Sequence, residues 1–351
     1  MEAKGIKVSI IIPVYNVAPY IGDCLRSVMR QTYQGAMECL LIDDCGADDS
    51  IVIAEKIIAE YDANANLDGN LNLNVNGGGR IRFRILHHER NRGLSAARNT
   101  GTFEAVGEYL YYLDSDDEIT DDCIEKMMKI VLKDPDIEMV QGSVCRYLMD
   151  GTSEVPGKKI VLPLASNHEE VRRCFYQYGQ ANVNVWNKLL KRGVIVDNNI
   201  LCKEGLLFED NLWIFYLLKY VKRAAFVADI TCHHKKRPQS ITTSTNEQTK
   251  GNHLCIVYRE ILNNLTPGYE REECDYYARK IASAHVRYVR MVPEYKEVLL
   301  LCREICKQYG SRYSQLMLAV SYILGKYKYG SIIWKGMMWV RRKIFAVLRM
   351  T

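Results

Sequence analysis

The sequence predicts an α/β protein built on a doubly wound, mostly parallel central sheet, and three observations carry that prediction. Several short segments are apolar at consecutive rather than alternate positions, the pattern of strands buried on both faces. Between them lie segments whose apolar residues recur at helical spacing, so strand and helix alternate along the chain. Two of the strands break off in carboxylates: Tyr109, Leu110, Tyr111, Tyr112 and Leu113 run into Asp114, Ser115, Asp116 and Asp117, and residues 39–42 run into Asp43 and Asp44. In open α/β sheets ligands sit outside the carboxyl ends of the strands. The acidic stretch at 114–117 has two readings at this point, a solvated turn capping the next helix or a cation site with oxygen ligands.

In chain order, residues 8–12 are apolar apart from Ser9 and are closed by Pro13, which reads as the first buried strand. Asn16 is the expected N-cap of a helix that places Tyr20, Ile21, Cys24, Leu25 and Val28 on one side. The second strand, 39–42, is followed by a helix carrying Ile51, Ile53, Ile57 and Ile58. Residues 64–79 are rich in Asn and Gly and read as a surface insertion. Gly77, Gly78 and Gly79 are not a phosphate loop, because no Lys-Ser/Thr pair follows them. The third strand is 81–86, and a helix then runs to Val106, its small Ser95, Ala96 and Ala97 allowing close approach to the sheet. Arg98 directs a permanent cation toward the strand ends. After the fourth strand and its carboxylates, 119–132 reads as a helix capped by Thr120, and 138–142 as another strand. From about 151 the alternation loosens. Three clusters stand out beyond it: 184–189 with Trp186, Asn187 and Lys188; 205–213 with Phe208, Glu209 and Asp210; and the basic stretch 232–242. Beyond 243 the pattern is helical.

The 351 residues suffice for one large α/β domain with an extension, or for two domains. Net charge is +5, but residues 305–351 carry nine Lys/Arg and no acidic residue, so the rest of the chain is mildly acidic. Such asymmetry points to an anionic partner for the tail, a membrane surface or a nucleic acid. No nucleic-acid motif accompanies the charge, so no nucleic-acid partner is expected. The longest uncharged run there, 313–325, is thirteen residues, short of the roughly 18 that span a bilayer. Ile333, Met337, Val340, Ile344 and Val347 form one helical stripe, flanked by Trp334, Trp339, Lys335, Arg341, Arg342 and Lys343. That composition suits a helix lying in a lipid interface, or one packed on the body or on another subunit. The twelve cysteines include no Cys-x-x-Cys pair. Cys24, Cys39, Cys174 and Cys306 lie in apolar contexts and are expected to be reduced core thiols of a cytosolic protein. After Met1 a polar segment leads directly to the first strand, with no signal-peptide pattern.

Taken together, these segments resemble a family 2 glycosyltransferase of the GT-A fold, of the inverting type that builds bacterial surface polysaccharides. The resemblance rests on Ser9 to Asn16 around Pro13, on Asp43 and Asp44 with Asp48, Asp49 and Ser50, on Asn91, Gly93, Leu94, Ser95, Ala97, Arg98, Asn99 and Gly101, and on Asp114 to Asp117. Further along it rests on Trp186 to Leu189, on Phe208, Glu209 and Asp210, and on Arg237, Pro238, Ser240, Ile241 and Thr242. It covers residues 6–243. Cys45, Gly46 and Ala47 depart from the usual Gly-Ser-Thr but leave both acids in place.

The resemblance implies a GT-A domain over 1–243, with a nucleotide-sugar half (1–142) and an acceptor half (143–243), and a helical extension over 244–351. It implies a nucleotide-activated donor, most often a UDP-sugar, and a glycan or lipid-linked hydroxyl acceptor. Pro13, Val14 and Tyr15 would face the nucleobase, Asp44 with Asp43 beside it would accept a base N–H, and Asp114 with Ser115 would reach the ribose. Asp116, with Asp114, would hold Mg²⁺ or Mn²⁺, and Arg98 would assist at the diphosphate. Asp210, with Glu209 as its neighbour, would be the base. His233 or His234 is a candidate to complete the metal shell, and Lys235, Lys236 and Arg237 to clamp the diphosphate, against the reading of both sets as surface or packing residues. The expected location is cytoplasmic, at the inner face of the membrane. The competing functions are a nucleotidyltransferase and a non-catalytic membrane scaffold. The first lacks its Gly-rich basic loop after the first strand, and the second has no use for Asp116 and Asp210 together. A dinucleotide oxidoreductase lacks its Gly-x-Gly-x-x-Gly.

Overall fold

The computed structural model describes residues 7–67, 81–148, 152–154, 160–236, 244–327 and 329–348. Most of the Asn/Gly-rich insertion lies outside them, as do Arg237, Pro238, Ser240, Ile241 and Thr242 and the side chains of Val340, Arg341, Arg342, Lys343, Ile344 and Val347. The chain divides into two units, Met1–Ser240 and Ile241–Thr351.

The first unit opens with β1 (Val8–Val14), α1 (Ala18–Met29), β2 (Met37–Asp43), α2 (Ser50–Leu67), β3 (Ile81–His87), α3 (Leu94–Glu104) and β4 (Tyr109–Tyr112). There follow β5 (Glu118–Ile119), α4 (Cys123–Lys133), β6 (Met139–Tyr147), β7 (Ser153–Glu154), β8 (Leu164–Ala165), α5 (His168–Tyr176), β9 (Lys188–Lys191), α6 (Arg192–Val196), α7 (Glu209–Leu217) and β10 (Ala224–Lys235). The sheet runs β3-β2-β1-β4-β9-β6-β10-β5, with β7 on β6 and β8 on β10. β3, β2, β1 and β4 are parallel, β9 is antiparallel to both β4 and β6, and β10 is parallel to β6. The α/β class is therefore as the sequence predicts, but the sheet is mixed: β3, β2, β1 and β4 form its parallel part, whereas β9 runs against β4 and β6, β5 and β8 against β10, and β7 against β6.

β1 is buried along its whole length, as the unbroken apolar run requires. One face, Val8, Ile10, Ile12 and Val14, packs with Ile21, Cys24, Leu25 and Val28 of α1 and with Ile124, Met127, Met128 and Val131 of α4. The other face carries Ile11, and α3 lies against it so closely that a Cβ on Gly101 would overlap Ile11 Cγ2. Ser95, Ala96 and Ala97 are buried at the same contact.

Two expected caps are corrected. Asn16 does not cap α1; it is left-handed (φ 52°) and its Oδ1 accepts from Ala47 N at 2.8 Å. The start of α1 is held from the second strand's loop, where Ser50 Oγ accepts from Val17 N and Asp48 Oδ2 from Ala18 N, both at 2.8 Å. Thr120 does not begin α4, because residues 118–119 first form β5 against β10 and the helix starts at Cys123. The strand expected at 138–142 extends to Tyr147, since β10 pairs alongside it up to Lys235.

The second unit is helical: α8 (Glu247–Asn263), α9 (Glu270–Tyr288), α10 (Tyr295–Gln308), α11 (Arg312–Leu324) and α12 (Gly330–Leu348). Asn246 Oδ1 caps α8 by accepting from Thr249 N, and Ser311 Oγ caps α11 by accepting from Ser314 N. Cys306, expected as a free thiol, is joined to Cys274 as a disulfide. The packing of α9 on α10 brings their Cα atoms to 6.2 Å, which a separation of 32 residues does not reveal. Cys24, Cys39 and Cys174 are free and buried. Among the described residues no helix is long and apolar enough to cross a membrane.

Candidate active site

The parallel register sets Val14 of β1 beside Asp43 of β2, and Asp44 N donates to Val14 O at 3.0 Å. Pro13 and Val14 are buried in the strand, and Tyr15 emerges exposed from its end. The carboxyl edge of the sheet thus presents Tyr15, Asp43 and Asp44 together. Asp44 is buried. Its Oδ1 accepts from Arg92 N at 2.8 Å and lies 2.7 Å from His88 Nδ1, and its Oδ2 accepts from Gly93 N at 2.7 Å. His88 is fixed at its other nitrogen, with Nε2 2.9 Å from Thr100 Oγ1. Gly93 has φ 89°, a conformation that favours glycine, and it delivers its N–H to Asp44 at the start of α3. Asp43 is more open; its Oδ1 accepts from Cys45 N at 3.1 Å and its Oδ2 lies 2.8 Å from His87 Nδ1.

At the end of β4, Asp117 N donates to Asp114 O at 3.0 Å, so the acidic stretch is a turn. Its carboxylates face different partners. Asp114 Oδ1 accepts from Arg98 Nη2 at 2.7 Å, Ser115 is buried, and Asp116 is half-buried. Asp117 turns fully inward, with both oxygens 3.0 Å from His234 Nδ1 and Oδ1 accepting from Lys235 N at 3.0 Å. Burial pushes Asp117 up to about 7 against the opposing pull of His234. For His234 burial works against the charge and the contact with Asp117 outweighs it, so its pKa is raised. The His234 ring stacks on Trp186, with centroids 5.2 Å apart and planes at 18°. Trp186 is therefore a packing residue beneath a histidine.

Arg98 links the two halves of the site. The residue is 4% exposed, and its guanidinium donates Nη2 to Asp114 Oδ1 and Nη1 to Glu209 Oε1, the latter at 2.9 Å. Burial acts against its charge, and Asp114 and Glu209 outweigh that effect and hold its pKa above the usual arginine value. Two of its nitrogens are committed to carboxylates within the protein.

Glu209 and Asp210 open α7, where negative charge meets the positive end of the helix dipole. The preceding Phe208 is left-handed, φ 62°, a conformation costly for a bulky side chain and found where the surroundings over-determine it. Burial raises Glu209, partly offset by Arg98, and burial likewise raises Asp210, offset by Arg98 and by hydrogen bonds from Asn211. Asn211 Nδ2 donates to Asp210 Oδ1 at 2.8 Å. Three other left-handed residues that are not glycine, Asn16, Cys45 and Asn187, adjoin strands β1, β2 and β9 at the same region. Asn187 is a junction. Its Oδ1 accepts from Tyr111 Oη and Thr231 Oγ1, and its Nδ2 donates to Ser143 O. Lys188 is fully buried and donates to Asn182 Oδ1 at 2.6 Å and to Asn184 O.

Asp114 and Asp116 supply two carboxylates in the turn after β4. Magnesium is commonly held by one or two carboxylates, the remaining positions being filled by water and substrate phosphates. Asp114 has Oδ2 outside its contact with Arg98. His234, with Nδ1 on Asp117, leaves Nε2 without a partner among the described residues. No group of three or more His, Cys, Asp or Glu arranged for a metal occurs among the described residues. Lys235 Nζ pairs with Glu118 at 2.5 Å and Asp23 at 3.6 Å.

Sequence reasoning missed the pairing of Asp117 with His234 and of Asp44 with His88. The adjacent histidines after β3 and in β10 were the available signal, but pairing 117 residues apart depends on β5 and β10 meeting.

A family model described as glycosyl transferase family 2 matches residues 9–187. The glycosyltransferase GlyG of Streptococcus pneumoniae is 24% identical over 300 residues, covering 83% of this chain and 88% of GlyG. Among solved structures, Staphylococcus aureus TarS 1–349 in complex with UDP-GlcNAc superposes with a TM-score of 0.64 at 18% identity, over 92% of this chain and 90% of that one. The mannosyltransferase PcManGT of Pyrobaculum calidifontis, in complex with GDP-Man and Mn²⁺, gives a TM-score of 0.55 at 17% identity, over 94% and 83%.

Proposed function

The chain belongs to glycosyl transferase family 2, and from that membership we propose that it transfers a sugar, with inversion and with a divalent cation, from a UDP-sugar to a hydroxyl of a glycan or lipid-linked acceptor. The observation that carries this reading is the buried Arg98 guanidinium, bonded at once to Asp114 and to Glu209. It brings the acidic turn at the end of β4 next to the start of α7, so donor-side and base-side carboxylates share one site.

The base of the donor would lie against Pro13, Val14 and Tyr15. Asp44 has three protein donors on about four acceptor positions, which leaves one for a base N–H, and Asp43 stands beside it. Because those three donors are built in, Asp44 would meet the base without reorganising. Asp114 and Ser115 would reach the ribose. Asp116, with Asp114, would hold Mg²⁺ or Mn²⁺, which would supply positive charge against the diphosphate. Support for a nucleotide sugar comes from the fold neighbours, solved with UDP-GlcNAc and with GDP-Man and Mn²⁺.

The acceptor hydroxyl would attack the anomeric carbon from the face opposite the diphosphate. The bond from that carbon to the diphosphate oxygen breaks, the nucleoside diphosphate departs, and the hydroxyl proton passes to Asp210. One displacement inverts the centre, so an α-linked donor gives a β-linked product. Burial raises the pKa of Asp210, against the opposing pull of Arg98 and the hydrogen bonds of Asn211, which strengthens it as a base. Glu209 would be held in place by Arg98. The enzyme would work at the cytoplasmic face of the membrane, in surface polysaccharide or glycolipid assembly.

A panel of nucleotide sugars scored for metal-dependent hydrolysis tests the donor, with UDP-sugars expected to be preferred. Asp116→Ala should lower turnover by at least about 100-fold. Asp210→Asn should retain donor binding by calorimetry and lose transfer. Wild-type transfer by Asp210→Asn would overturn the assignment of the base, and full activity in chelator would overturn the metal.

A further inference from the structure

The second unit carries an apolar surface that its own packing leaves uncovered. In α11 the buried side is Ser314, Met317, Leu318 and Ser321. On the opposite side Leu316 is 60% exposed and Ile323 54%, with half-buried Val320 between them and Tyr327, 61% exposed, one turn further on. The spacing 316, 320, 323 puts Leu316, Val320 and Ile323 on one helical stripe, and Tyr327 follows in the turn after the helix. A helix that is apolar on both sides in a water-soluble unit has a second partner or a second solvent. The chain then turns into α12, which begins with Ile332, 65% exposed, and Ile333 and carries exposed Met337 and Trp339 beyond them.

Charge decides between the occupants. Arg312, Lys326 and Lys335 are exposed along this region. From position 305 onward the sequence has nine Lys/Arg and no Asp or Glu. A second copy of the chain seated on this stripe would make an isologous contact, bringing two basic tails together with no acidic residue of the tail to pair with them. Coiled-coil seams are ordinarily flanked by charges of both signs, and this one is not. An anionic lipid surface meets both requirements, since it takes up apolar side chains and its headgroups attract the flanking cations.

We infer that the exposed stripe of α11, with the start of α12, is a docking surface for an anionic bilayer, entered by Leu316, Ile323, Ile332 and Ile333 and flanked by Arg312, Lys326 and Lys335. It specifies the membrane part of the proposed function but stands on the second unit alone, so loss of sugar transfer would leave it untouched.

The test is flotation of the full-length chain with vesicles of phosphatidylcholine alone and with 30% phosphatidylglycerol. Expected are binding at least about ten-fold tighter to the anionic vesicles, weakening between 50 and 500 mM salt as surface charges are screened, and a loss of about ten-fold or more in Leu316→Ser/Ile323→Ser with an unchanged melting temperature. Lys326→Glu/Lys335→Glu, which leaves the apolar stripe intact, should lose the preference for anionic lipid even if the serine variant folds poorly. Equal binding to both vesicles, or wild-type binding by the charge-reversed variant, would overturn the inference. So would a concentration-dependent dimer in sedimentation that the serine variant abolishes, which would assign the stripe to a second copy.

Discussion

The residues that define the site are acids whose surroundings set them apart from one another. Asp44 is wrapped by three donors, Asp114 is held by Arg98, Asp117 is turned inward onto His234, and Asp210 is half-buried at the head of α7. Burial raises Asp210, so the folded state holds that proton at pH values where the unfolded chain has released it. A carboxyl with a raised folded pKa costs stability as it ionises, and the cost appears as pH rises from the unfolded value, roughly 4, through the folded one. Asp210→Asn should therefore raise the melting temperature at pH 7 relative to wild type, with the difference shrinking toward pH 3. Melting curves across that range check this. A variant that is inactive yet more stable at pH 7 separates loss of the base from loss of the fold. Asp117 was given no role, whereas Asp44, Asp114 and Asp210 were legible in the sequence as candidates, because each closes a strand or opens a helix. Their division of labour was not, since it depends on Arg98, His88 and His234, which arrive from other elements.

Among the elements, α3 bears most directly on the site. It carries Arg98 on its buried side and receives Asp44 at its first turn. It sits close to β1 because its contact is made of Ser95, Ala96, Ala97 and Gly101. Gly101→Ala would press a methyl into Ile11 Cγ2. Overpacking of this kind costs roughly 1–3 kcal/mol, against a small gain in helix propensity. In an Ile11→Ala background the same substitution should cost less, and a double-mutant cycle by chemical denaturation measures the difference. The close approach was readable from the run of small residues. By contrast β9, reversed between β4 and β6, left no mark in the sequence. Its four residues, Lys188–Lys191, are too few to announce direction. β10 was equally hidden, since its twelve residues include Asp229 and end in the His233–His234–Lys235 run, which read as part of a basic stretch.

For the whole molecule, charge separates a mildly acidic body from a tail without a single acid. If the second unit brings the enzyme to a lipid surface that also bears the acceptor, Leu316→Ser/Ile323→Ser should leave donor hydrolysis in solution unchanged. It should also reduce transfer to a vesicle-borne acceptor by about ten-fold or more, with transfer to a short water-soluble acceptor unaffected. Equal loss on both acceptors would place the defect in the catalytic unit. By itself the sequence determined the α/β class, the ends of the parallel strands, the acids at those ends and the basic tail, because these follow from local periodicity and from where apolar runs stop. Only the tertiary structure decided that Arg98 joins the acidic stretch after β4 to Glu209, and that Asp117 belongs to His234. Those are contacts between residues 16 to 117 positions apart, and no local pattern encodes them: they exist because buried charge must find a partner once the sheet has closed around it.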